Sequence, residues 1–168
     1  MWWVYVLIAL VLVISVVAGV AIGKNNRRLF DAGLANRARS YDFYLQENTF
    51  RTTVPNLDSL MQALNVNVLA QQGISVSRDA SGNRLYMQST DGNLTASLTA
   101  LGSVADGLWA YKFAVDRWKG RNGVIYNSAR VGANIALTTV EKAFVTLDYN
   151  AVVERTYMTN VTTKTSII

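Results

Sequence analysis

From Trp2 to Ile22 the chain carries no charged residue, and Gly23 followed by Lys24, Arg27 and Arg28 closes the run. About 20 apolar residues rising ~1.5 Å each in a helix match the ~30 Å hydrocarbon core of a bilayer. The expectation is a retained transmembrane anchor over residues 1–23. A cleaved signal peptide would put basic residues ahead of a shorter apolar core. No Lys or Arg precedes this run.

Trp2, Trp3 and Tyr5 cluster at one end of the anchor, where amphipathic rings favour the headgroup level. Lys24, Arg27, Arg28, Arg37 and Arg39 follow its other end. Basic residues beside a membrane helix favour the cytoplasmic side. The expected topology is single-pass, with the amino terminus outside and the remainder cytoplasmic, at a bacterial plasma membrane. Ser15, Gly19 and Gly23 recur four apart on one helical face, a spacing that lets two membrane helices pack closely. A homodimer through the anchor is the corresponding expectation.

The net charge of +5 is densest just after the anchor: residues 24–51 hold six Lys and Arg against three Asp and Glu. Basic segments there attract anionic lipid, so anionic lipid is the expected partner from Lys24 to Arg39. This accounts for the basic balance, and no nucleic-acid partner is expected. The chain has no cysteine and no histidine. Disulfides, thiol nucleophiles, the common zinc sites and the usual general base near neutral pH are thereby excluded.

Phe30, Leu34, Ala38, Tyr41 and Leu45 fall at helical spacing, so the segment 24–49 reads as a basic, amphipathic juxtamembrane helix. Residues 50–168 read as an α+β domain. Phe50–Val54 is a short strand, and Pro55-Asn56 opens a helix carrying Leu57, Leu60, Met61 and Leu64. Four strands follow, with Asp79–Asn83 and Asp91-Gly92 as turns and strict alternation through Leu94–Gly102 and Leu108–Trp118. Arg121-Asn122-Gly123 is a further turn. Val131, Ile135, Val140 and Phe144 mark a helix over roughly 129–148, and Ala151–Ile168 reads as a final strand. The expected architecture is a single antiparallel sheet in the order strand, helix, four strands, helix, strand, with two helices packed on one face.

No phosphate-binding glycine loop or serine-nucleophile motif is present. Asp79–Asn83 lacks the ligand spacing of a calcium loop. Asp106, Asp116, Glu141, Asp148 and Glu154 are the carboxylates that would have to converge for acid–base chemistry, and nothing in their spacing brings them together. No catalytic residue, metal ligand or cofactor is expected. Arg117, Lys119 and Arg121, with Arg130 and the aromatics Trp109, Tyr111 and Trp118 nearby, form the candidate patch for an anionic partner; the bland alternative is a solvated turn. The expected function is a non-catalytic binding module with a protein or lipid partner. An extracytoplasmic assembly subunit of inverted topology is the alternative, and a carboxylate-dependent tethered enzyme a more distant one.

Overall fold

The computed structural model describes Arg39 and residues 42–157. The anchor with Trp2, Trp3, Tyr5, Ser15, Gly19 and Gly23, the cations Lys24, Arg27 and Arg28, most of the juxtamembrane segment, and the tail beyond Tyr157 lie outside the described residues. Among the described residues no helix is long and apolar enough to cross a membrane.

Phe43–Leu45 form a 3-10 turn that buries Phe43 and Tyr44. Strand β1 (Gln46–Thr52) follows directly. The described end of the expected 24–49 helix is therefore a 3-10 turn followed by strand, and the strand starts four residues ahead of Phe50. Gln46–Thr49 lack apolar alternation, and their strand state comes from pairing with neighbours on both sides. Asn56 Oδ1 accepts from the Ser59 N–H (2.9 Å) and starts α1, Leu57–Ala63. Asn65 Oδ1 accepts from the Val68 N–H (3.2 Å) and starts α2, Val66–Gln71. Asparagine is a strong amino cap, so a second one at position 65 breaks what reads as a single helix with an irregular extension.

Strands β2 (Ile74–Arg78), β3 (Arg84–Ser89), β4 (Leu94–Ser103) and β5 (Trp109–Trp118) form the expected meander. Asp79 closes the first turn, where its carboxylate accepts from Ser81 Oγ and the Arg84 N–H. A two-residue ribbon, β6 (Gly120–Arg121) and β7 (Val124–Ile125), then precedes α3 (Asn127–Leu147) and β8 (Val152–Tyr157). The fold is α+β, with six strands in the order β2-β3-β4-β5-β1-β8, all pairings antiparallel.

Leu94, Ala96 and Leu98 of β4 and Tyr111, Phe113 and Val115 of β5 are buried. Alternation puts these residues on one face. Helix α3 approaches that face closely because its contact side is small: Ala129, Ala133 and Ala136 are fully buried, and a Cβ at Gly132 would lie 3.1 Å from Leu94 Cδ2. Further along α3, Phe144 stacks on Phe50 with centroids 4.4 Å apart and meets Tyr111 at 5.5 Å. The Tyr111 hydroxyl donates to the Val54 carbonyl (2.8 Å), and burial pushes its pKa up to about 12.

Arg39 is held against α3. Its Nε donates to Asn134 Oδ1 (2.7 Å), and its Nη2 donates to Glu141 Oε2 (2.8 Å) and to Thr138 Oγ1 (3.2 Å). The Arg39 side chain is 8% exposed. Arg39 therefore belongs to a polar seam along α3 with Asn134, Thr138 and Glu141.

Candidate functional site

The patch of Arg117, Lys119 and Arg121 owes its geometry to one irregularity in β5. Tyr111, Phe113 and Val115 alternate inward, so simple continuation would turn Arg117 toward the core. The register shifts there instead: Ala96 faces Val115, whereas Thr95 faces Arg117, leaving Asp116 as an extra residue. One inserted residue exchanges the two faces for everything after it. Trp118 now pairs with Leu94 on the core side, half-buried, with its ring 5.2 Å from that of Tyr44. Asp116, Arg117 and Lys119 are exposed.

The ribbon carries the new alternation onward. Asn122 (φ 51°) and Gly123 (φ 77°) both occupy the left-handed region, as the tight turn joining two right-twisted strands requires. Arg121 faces Val124, Gly120 faces Ile125, and the Tyr126 N–H donates to the Lys119 carbonyl (2.9 Å). Ile125 is buried in the core. Lys119, Arg121, Val124 and Tyr126 therefore share the outward face, where Val124 is 54% and Tyr126 43% exposed. Glycine is required at position 120, since a Cβ there would meet the Val124 carbonyl oxygen at 2.2 Å and the Trp118 ring at 2.8 Å. Val124 and Tyr126 were not among the sequence candidates, although the Asn122-Gly123 turn and the alternation around it carry the signal. Arg130 sits in the first turn of α3, where its Nη2 donates to Asn127 Oδ1 (3.4 Å).

Other cations of the domain are engaged. Lys112 pairs with Glu47 (3.3 Å), Arg51 with Glu154 (3.2 Å), Arg78 with Asp58, and Arg39 and Arg155 with Glu141. Arg117, Lys119 and Arg121 have no carboxylate partner among the described residues. Two acids stand near them in sequence or space. Asp116 is exposed in the bulge, and Asp91, in the turn beside Lys119, is lowered to about 2 by bonds from the Ser89 hydroxyl and the Asn93 N–H.

The five carboxylates weighed for acid–base work occupy separate settings. Asp106 lies in a 3-10 turn, Asp116 in the bulge, Glu141 between two arginines, and Glu154 in its pair with Arg51. Asp148 follows α3 and accepts from Thr52 Oγ1 (2.8 Å), the Thr53 N–H (2.8 Å) and Thr53 Oγ1 (3.1 Å). The Thr53 N–H and then the Thr52 hydroxyl hold its pKa below the usual carboxylate value. Among the described residues no three His, Cys, Asp or Glu side chains gather as metal ligands. Asn93 Nδ2 donates to Asp91 Oδ2 (2.8 Å).

Against known protein families, curated proteins and solved structures, the chain shows no match.

Proposed function

We propose that the chain is a single-pass membrane protein whose α+β domain works by binding, not by catalysis. In this reading residues 1–23 anchor it with the amino terminus outside, the basic segment that follows connects the anchor to the domain, and the domain lies in the cytoplasm. Helices α1 and α3 cover one face of the sheet, and the ligand is a lipid surface or a protein. The observation that carries the reading is positional. Tyr44, where the chain enters the sheet, touches Trp118, from which the basic ribbon extends. The end at which the described chain enters the sheet is thus the end whose cations have no carboxylate partner among the described residues. Tethering raises the effective concentration of the two surfaces, so individually weak contacts suffice.

The test is a topology reporter fused after Ile168. A reporter that works only in the cytoplasm is expected to be active. Activity confined to a reporter that works only outside the cytoplasm would establish the inverted topology and, with it, the assembly-subunit alternative.

A further inference from the structure

We propose that the outward face of the β6–β7 ribbon, Lys119, Arg121, Val124 and Tyr126 together with Arg117, seats on the anionic phospholipid headgroups of the membrane that tethers the chain. This rests on the anchored reading above and adds to it a contact surface and a ligand chemistry.

Three observations select lipid over other polyanions. The cations lack carboxylate partners among the described residues while Arg39, Arg51, Arg78, Lys112 and Arg155 have them, so their charge is open to a ligand outside the domain. An exposed valine and an exposed tyrosine share their face. Basic residues beside an aliphatic side chain and an amphipathic ring match the layered chemistry of the interface, with phosphate outermost and hydrocarbon beneath. A single-stranded nucleic acid would instead need several open aromatic faces for stacking. Tyr111 is fully buried and Trp118 is turned to the core side, which leaves Tyr126 as the ribbon's exposed ring. Placement supplies the third argument: the ribbon begins one residue after Trp118, at the end where the chain enters the sheet.

A basic residue near an anionic surface shifts binding about 5-fold, so three together shift it on the order of 100-fold at low salt. Salt beyond ~0.1 M shortens the reach of this attraction to under ~10 Å.

The chain has no cysteine, so Val124→Cys creates a unique attachment point for a polarity-sensitive fluorophore, and Tyr126→Cys provides a second. Val104→Cys, at the opposite end of the sheet, reports a position away from the ribbon. Each full-length variant is reconstituted into phosphatidylcholine vesicles with and without phosphatidylglycerol. Headgroup-linked quenchers are expected to quench the ribbon labels in the presence of phosphatidylglycerol, and high salt to reverse this. Arg117→Gln, Lys119→Gln and Arg121→Gln combined are expected to abolish it, and the Val104→Cys label to stay in water throughout. Ribbon labels equally unquenched in both lipids, on protein that remains vesicle-bound at alkaline pH, would overturn the headgroup contact and leave the anchor standing. Protein that fails to incorporate into either vesicle would overturn the anchored reading instead.

Discussion

Each end of the β4–β5 pair carries a one-residue irregularity, and the two have opposite consequences. At one end Asp116 is the extra residue in β5, which turns Arg117 and Lys119 outward and Trp118 toward the core. At the other, the register passes from Ala100–Tyr111 to Gly102–Ala110, so Leu101 is the extra residue in β4 and is left 54% exposed. The first end is basic and receives the chain. The second gathers exposed apolar side chains, with Val104 in the hairpin and Val145, Leu147, Tyr149 and Val152 at the α3–β8 corner. A strand pair thus uses the same device twice, once to present charge and once to present hydrocarbon. The comparison also separates fold from surface. Charges at the second end, such as Asp148, are engaged by backbone and hydroxyl donors, whereas the ribbon cations form no ion pair among the described residues.

If that division is right, the largest effects belong to the packing that joins α3 to the sheet toward the second end. Phe144→Ala removes the ring stacked on Phe50 and tilted against Tyr111, all three being buried. Truncating a core aromatic costs about 3–5 kcal/mol, a large part of a small domain's stability. Urea unfolding of the full chain in detergent should show an unfolding free energy lowered by that amount and a correspondingly lower midpoint. An unchanged midpoint would mean that α3 is not what the sheet is built against.

The sequence made the fold largely legible because its period is clear where burial is one-sided. Tyr111, Phe113 and Val115 alternate, α3 repeats at helical spacing, and Asp91-Gly92 and Asn122-Gly123 mark turns by their backbone needs. It was opaque where tertiary pairing overrides local pattern. Asn48 is 1% exposed on the core side of β1, opposite Phe113, with Oδ1 unpartnered among the described residues. No polar residue in Gln46–Thr49 advertises such burial. Arg39 reads as a juxtamembrane cation and Glu141 as one of five scattered carboxylates, since their pairing joins positions 102 residues apart. The ribbon's composition was visible, but its facing was not, because the bulge at Asp116 depends on the register against β4. The α3–β8 corner is intermediate: β8 was foreseen, yet it is an edge strand whose Val152 is 63% exposed. It contributes less apolar burial than a central strand would.

A smaller and pH-dependent effect tests the Asp148 clasp that ties the end of α3 to the end of β1. Asp148→Asn weakens bonds from Thr52 and Thr53 and should cost about 1–2 kcal/mol near neutrality, the scale of bonds to a charged acceptor. Because the folded pKa lies below the unfolded value of ~3.9, the unfolded state binds the proton more readily. The stabilisation is therefore present above ~pH 4 and lost as pH falls through the folded pKa. Wild type and variant should converge in unfolding midpoint on acidification. A gap that persists undiminished at pH ~2 would show that the clasp acts through packing and not through the carboxylate's charge.

The smallest expected effect on stability is at the ribbon, and it is the one that gives the comparison its force. Arg117, Lys119 and Arg121 are exposed and have no carboxylate partner among the described residues. Neutralising all three to glutamine removes no ion pair seen among the described residues, so the unfolding free energy in detergent should move by no more than ~0.5 kcal/mol. Relief of repulsion among neighbouring cations makes a slight gain the favoured direction at low salt, shrinking as salt screens the charges. A loss above ~1 kcal/mol, insensitive to salt, would instead place these side chains in the structure's own support through their aliphatic stems. The basic end would then differ from the apolar end only in composition, not in purpose.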